Sequence, residues 1–381
     1  MITINLIDRF LLKDDLSTYD PYDIWKTYLG ISVKKFYYKN KLIGLMPAGL
    51  LNLFDFYINN TLRIFYKKQE YPIVRAQAAL ALLNLYKKEA NEKYLEYAKK
   101  HIDWLLENDS KGYSGHCWGT GFSIVISDIL IYDKNTPFAT NTPYILEALH
   151  EYYQLTKDEK TLVIIRSIYE FYENDIHVID ENKKILITSY GPFKDRVVTN
   201  AVSYTMFSYS IFYLYLDNKE YIQDKIIRMF SFIQSVQNEN GSWLYAPYDN
   251  NSFIDCFHSC FILKNIYKSS LNVRLDSKQT IEKGYRFISE SFIDDKTGLC
   301  KRFSKSNKPS IVKFDLYDNA EFLYLAKLLE DIPRIQKTEE AIKHRFIKDY
   351  NVFSVIDIFG LQKNRNTLRW AVMPYLLALS E

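Results

Sequence analysis

Glycine and proline are scarce in this 381-residue chain, at 12 and 10 residues, which argues against a loop-rich β-protein and against disorder. Cysteine is rarer still. Cys117, Cys256, Cys260 and Cys300 form no Cys-x-x-Cys pair. The one-turn spacing of Cys256 and Cys260 could suit a metal but lacks two further partners, so all four are read as buried thiols. No basic block breaks the even spread of 49 basic and 46 acidic residues, and a net charge of +3 makes nucleic acid an unexpected partner. Residues 1–15 lack the basic start, sustained apolar run and small-residue cleavage site of a signal peptide. No stretch approaches the roughly 20 apolar residues of a membrane span. A cytoplasmic protein with reduced thiols and no membrane span is expected. Also missing are a P-loop, GxGxxG, GxSxG or HExxH motif, and the DDxxD or DxDD acid clusters of terpene cyclases. Neither a cofactor nor a metal is expected.

What the chain does have is apolar and aromatic content: 48% hydrophobic residues, with 32 tyrosines. Tyrosine in such numbers suits half-apolar, half-hydrogen-bonding surfaces such as sugar clefts, although an AT-rich genome gives the same bias. Helical periodicity runs through most of the chain. An Ala- and Leu-rich segment, residues 73–86, is followed by an amphipathic, charged one, residues 92–107. The pairing recurs at 142–153 with 159–174, 198–216 with 219–237, 252–267 with 278–289, and 314–329 with 334–348. A last segment, 366–380, stands alone. First helices thus recur about every 55–60 residues, and an earlier apolar helix over 47–68 can supply the missing partner. The expected fold is all-α: an (α/α)6 toroid over residues 47–381, with residues 1–46 as a lead-in packed on it. Short connections fall on one side and long ones (108–141, 175–197, 238–251, 290–313, 349–365) on the other, where they form a cleft. Strand-like pieces are expected at 185–190 and 299–303.

The cleft candidates come from those loops and from the starts of the inner helices. Asp255 and His258, three apart on one helix face, are an acid and an imidazole at a helix start. Tyr190, beside Gly191 and Pro192, is a candidate acid/base phenol. Trp118 is a stacking candidate or, almost equally, a loop anchor packed on the core, and Trp243 and Tyr245 are further substrate-binding candidates. His116 sits among glycines. Asn200 is a substrate-binding candidate or the cap of its helix. Asp315 and Trp370 stand at later inner-helix starts. Arg75, Arg196 and Arg369, if they face one cleft, favour an anionic ligand.

Several of these residues lie in runs that resemble a known family. Gly115–Gly121, the Asn141-Thr-Pro…Glu147-Ala-Leu helix, Ser189-Tyr190…Arg196-Val…Asn200-Ala, the Gly241-Ser-Trp-x-Tyr…Ile254-Asp-x-Phe-His258 core and Leu368-Arg-Trp resemble bacterial α/α-toroid proteins of polysaccharide-biosynthesis clusters. Those are distantly similar to the C-terminal domain of glucuronyl C5-epimerases. The resemblance covers residues 20–381. It departs at His116-Cys117-Trp118, where the family shows an aromatic run, and at Asp315–Asn319, where it often shows a histidine. It implies an enzyme of capsule or exopolysaccharide assembly acting on a uronic-acid glycan by C5-epimerase-like proton abstraction. His258 and Tyr190 would carry protons and Asp255 would orient His258. A glycoside hydrolase using Asp255 or Asp315 as acid/base, a lyase on the same barrel, and a non-catalytic glycan-binding scaffold are the alternatives.

Overall fold

The computed structural model covers residues 2–194, 196–306 and 309–381. Its helices in chain order are α1 (Ile2–Phe10), α2 (Tyr28–Lys39), α3 (Lys41–Phe54), α4 (Asn60–Leu62), α5 (Pro72–Glu89), α6 (Glu92–Glu107), α7 (Thr142–Thr156), α8 (Glu159–Asn174), α9 (Thr199–Tyr215), α10 (Lys219–Ser235), α11 (Cys256–Asn272), α12 (Lys278–Ser291), α13 (Leu316–Leu328), α14 (Ile332–Phe346) and α15 (Met373–Ser380). Helices α5, α7, α9, α11, α13 and α15 form an inner ring in which each packs on the next, and α15 closes back onto α5. Each of α6, α8, α10, α12 and α14 packs outside the inner helix that precedes it. The expected closed (α/α)6 toroid is the observed fold.

Composition sorts the two rings. Inner helices are covered on every side, so they need no polar stripe: every residue of α5 from Val74 to Leu83 is buried. Burying leucines such as Leu80, Leu82 and Leu83 contributes about 2 kcal/mol each. Outer helices alternate instead. Helix α6 buries Ala98, His101, Ile102 and Leu105 and turns its lysines and glutamates outward. Inner helix α9 carries buried Ser203, Thr205, Ser208 and Ser210, and each hydroxyl donates to a carbonyl of the preceding turn.

Three of the inner-to-outer turns share one construction. Ala90, Lys157 and Glu330 take left-handed φ angles of 51°, 54° and 55°. The following Asn91, Asp158 or Asp331 then caps the outer helix by accepting the N–H of Lys93, Lys160 or Arg334. A non-glycine residue in that region costs about 1 kcal/mol, and the cap offsets it by a similar amount, about 1 kcal/mol.

The sixth outer place corrects the sequence reading. It belongs to α1, whose Leu6, Ile7 and Phe10 join the core. The Leu11 carbonyl bonds the His101 ring on α6 at 3.1 Å, and Arg9 donates to the Tyr350 carbonyl beyond α14 at 2.7 Å. The helix expected over 47–68 begins earlier, at Lys41, and contains Pro47 rather than opening on it. With α2 it forms a hairpin outside the ring. Its Leu50, Leu53 and Phe54 are exposed. Apolar composition announced a helix but not the surface that it meets. The run Lys41–Leu62 is also long and apolar enough to cross a membrane by length and composition, against the expectation that no stretch comes close.

Short antiparallel strands deliver the cleft residues. Ile254–Asp255 pairs with Phe303–Lys305, and Leu186–Thr188 pairs with Val178–Glu181. These lie close to the two strand-like pieces expected. A third sheet joins Val312–Asp315, Asn351–Asp357 and Gln362–Arg365. Two strands run straight into helices, so α11 and α13 start at Cys256 and Leu316, not at 252 and 314. Asp255 and Asp315 thereby become the residues on which extended backbone turns helical.

Candidate active site

The inner helices run in the same direction, so their N-termini gather at one end of the ring. Asp255 is the N-cap residue of α11, yet its side chain caps nothing. Both carboxylate oxygens lie 2.8 Å from His258 Nδ1. Three residues place the two side chains on one face of the helix start, with Asp255 buried and His258 partly open. His258 Nε2 makes no hydrogen bond to the described residues. The imidazole is walled by Phe257 (ring centroids 4.1 Å apart), Tyr245 (4.6 Å) and Phe261 (5.9 Å).

Across from His258 stands a phenol pair. The Tyr245 hydroxyl accepts from Arg196 at 3.4 Å, and the guanidinium lies 5.3 Å from the Tyr245 ring centre. Burial pushes the Tyr245 phenol well up, and neighbouring Tyr190, hydrogen-bonded to it, pushes the same way. Tyr190 also accepts from Thr140 Oγ1 at 3.4 Å and packs on Phe138. The structure thus brings together Asp255, His258, Tyr245, Arg196 and Tyr190.

A second group starts at Asp315, the N-cap residue of α13. One oxygen caps the Tyr317 N–H at 2.9 Å and the other accepts from Trp370 Nε1 at 2.8 Å. Arg302 lies 3.6 Å away and also donates to the Tyr22 hydroxyl. Burial raises the Asp315 carboxyl, with Arg302 acting against it. Asp318, one turn on, is pushed up further by burial and by Asp315. One Asp318 oxygen accepts from the Phe257 N–H, and the other is buried without a hydrogen-bond partner among the described residues. Trp370 stacks on Tyr317 at 4.7 Å and meets Phe257 edge-on, which links this group to the His258 pocket.

Trp370 also walls a cavity of about 550 Å³. The α2–α3 hairpin supplies one side of it, through Tyr37, Tyr38, Leu45 and Asn52. Arg369 and Lys26 line it as well, but each is committed. Arg369 is paired with buried Asp20, and Lys26 reaches Asp20 at 3.4 Å, Asp23 at 3.1 Å and the Tyr71 hydroxyl at 2.7 Å. Burial alone would raise Asp20, but Arg369 and Lys26 hold its carboxyl down at about 2. Burial lowers Lys26, with Asp20 opposing.

Arg75, Trp118, Trp243 and His116 do not join these groups. Arg75 is buried against the outer ring, bound to Glu70, the His101 ring and the Asp14 carbonyl. The three arginines therefore do not share one cleft: its neighbours at the outer helices claimed Arg75. Trp118 and Trp243 are fully buried anchors. Their indole N–H groups donate to the carbonyls of Leu105 and Ile233, in the last turns of α6 and α10, and pin each loop to its outer helix. His116 pairs with Asp109 at 2.7 Å and lies parallel to Trp118 in the same anchor. Asn200 is buried in the second residue of α9, whose N-cap is Val198, so it does not cap the helix. Its side-chain oxygen has no hydrogen-bond partner among the described residues. Arg302, Tyr22 and Lys26 were not foreseen, since they sit in segments with no motif. Among the described residues no group of three or more His, Cys, Asp or Glu is placed to hold a metal ion. All four thiols are free and buried, as expected.

No family model and no curated protein sequence matches this chain. Solved structures do. Cellobiose 2-epimerase from Bacillus thermoamylovorans superposes with a TM-score of 0.62 at 13% identity, over 82% of this chain and 87% of that one. A sugar epimerase from a ruminal bacterium gives 0.61 at 13% identity, over the same shares. A family 76 α-mannanase from Bacteroides thetaiotaomicron gives 0.61 at 10% identity, over 95% of this chain and 98% of that one. The chain has the fold of these α/α-toroid enzymes.

Proposed function

We propose that this protein is a carbohydrate-active enzyme that removes and returns a proton at a sugar ring carbon, an epimerase acting on uronic-acid-containing glycans. The observation that carries this reading is the state of His258. Asp255 occupies Nδ1 with both oxygens, which fixes the ring and its tautomer, while Nε2 is left to exchange a proton with a ligand. Tyr190 and Tyr245 offer phenolic protons beside it, and Arg196 offers positive charge. Proton loss beside a carboxylate builds enolate charge, and a donor and a cation at the same place lower its energy. The enolate then takes a proton from the phenol side, and the centre inverts. Solved structures with this fold include sugar epimerases and a mannanase, which supports a sugar substrate. Free, buried thiols suit the reducing, cytoplasmic setting proposed with it.

A hydrolase fits less well. It needs two carboxyl groups turned to one glycosidic bond. The carboxylate of Asp255 faces His258, and that of Asp315 serves a helix cap and an indole.

The test is incubation with uronic-acid polymers and with reducing disaccharides in D₂O, read by NMR and chain length. Deuterium entering C5 of a uronic residue, and lost on the order of a hundredfold or more in His258→Ala, is the expected result. Deuterium at C2 of a reducing sugar would keep the proton chemistry and change the substrate. Shortened chains without exchange would move the answer to a hydrolase or lyase.

A further inference from the structure

The α2–α3 hairpin does what core-forming segments do not: it leaves its apolar side chains in water. Along Lys41–Leu62 the mean hydropathy of the most apolar window is 1.3, yet only 17% of that window is buried. Leu42 is 87% exposed and Met46 72%. With Ile43, Leu50 and Leu53 they recur every three or four residues, so they form one outward stripe. Phe65 and Tyr28 extend the exposed apolar surface beside it. An exposed surface of this kind marks an interaction site or an aggregation hazard.

Charge says which partner it meets. Residues 24–69 hold eight basic side chains and one acidic one, Asp55. That segment is therefore +7 in a chain of +3, and everything else together is −4. Asp55 is buried against the Tyr66 hydroxyl, so the visible charge is wholly positive. Lys39, Lys41, Lys67 and Lys68 are exposed.

We propose that the hairpin seats the protein on an anionic lipid surface, with its apolar stripe in the headgroup–acyl boundary and its lysines among the phosphates. Exposed leucine, isoleucine, methionine and phenylalanine beside a basic cluster are what interfacial binding requires. A second copy of the chain would bring the same +7 charge against itself across a symmetric contact. A soluble polyanion would meet the lysines and leave the apolar stripe wet. A full crossing is disfavoured because the run is fastened at its far end: Asn59 bonds the Ile64 N–H, Asn60 accepts from Asn364, and Arg63 donates to Asn364. An apolar groove of about 600 Å³ between Leu29, Leu51, Phe54 and Phe65 gives room for acyl chain.

The experiment is flotation of the full chain with phosphatidylcholine vesicles, with and without phosphatidylglycerol, and needs no sugar substrate. Its result is therefore independent of the proposed epimerase chemistry. Binding is expected to rise about tenfold or more with phosphatidylglycerol and to fall with salt. Replacing Leu42, Met46 and Leu50 by Asp, side chains that line no described cavity, should abolish flotation with the far-UV spectrum unchanged. Lys39→Gln with Lys41→Gln should weaken only the preference for anionic vesicles, and stands in if the triple variant fails to fold. Wild-type protein that ignores phosphatidylglycerol vesicles would overturn the proposal. So would a dimer, seen by light scattering, that these substitutions dissociate in protein that does not float.

Discussion

Asp255 and Asp315 stand at the same place in neighbouring units of the ring, each where a strand becomes an inner helix, and they do opposite things. Asp315 holds structure: it caps α13, accepts the Trp370 indole and faces Arg302. Asp255 leaves its helix start uncapped by its side chain and spends both oxygens on His258. What differs is the residue three positions on, Asp318 in one unit and His258 in the other. Two adjacent units thus offer the same carboxylate, and the residue one turn on separates the one that braces the barrel from the one that orients a base. Local stabilisation given up at a helix start is what a functional site looks like in an otherwise consistent fold.

Three substitutions test this contrast, in order of expected effect. Asp315→Ala removes a cap and a counter-charge together. It is expected to destabilise by about 3 kcal/mol, read from the urea midpoint, because mostly buried Arg302 loses its acid. Asp255→Asn should leave the urea midpoint within about 1 kcal/mol. It should lower turnover in the exchange assay by about ten- to a hundredfold, because the amide no longer fixes the imidazole as an acceptor. Equal stability losses in both variants would erase the contrast. Asp318→Asn should have the smallest effect at mildly acid pH and a sign that depends on pH. Its folded carboxyl is raised, so the folded state holds a proton that the unfolded state releases first. Wild-type stability is therefore fullest below the unfolded carboxylate range and declines as pH rises towards the folded value. The amide should flatten that decline, so the variant gains on wild type between acid and neutral pH; urea midpoints at both values read this directly.

The ring was legible in the sequence because its helices carry their own signals. Ala- and Leu-rich inner segments and amphipathic outer ones differ in pattern, and the pairs recur at a steady spacing. Asp255 with His258 was legible for the same local reason, as i and i+3 on one helix. Side chains whose role depends on distant neighbours were not. Trp118 reads as a stacking residue or a loop anchor, and Trp243 as a binding residue, until the outer helices supply the carbonyls that fix them. Arg75 looked like Arg369 until Glu70 and His101 came beside it. Arg302 gave no signal, since Asp315 and Tyr22 reach it only through the fold. The strand Asn351–Asp357 lay inside a stretch read as loop, although its sequence is rich in β-branched and aromatic residues. For α3, apolar composition predicts a place in the outer ring, and the exposed hairpin shows that step to be unsafe.

The ring is also closed by contacts between segments far apart in the chain. The Leu368 N–H bonds Thr18, Arg369 pairs with Asp20, Asn84 bonds Glu381, and α15 covers α5. Synthesis on the ribosome meets these partners in the wrong order for early completion. By the time α5 emerges, the residues that will cover its flank are almost 300 positions away. A nascent chain therefore carries an incomplete apolar arc throughout elongation, and the last inner helix converts it into a ring. Until then the growing arc exposes apolar surface that only the finished ring buries.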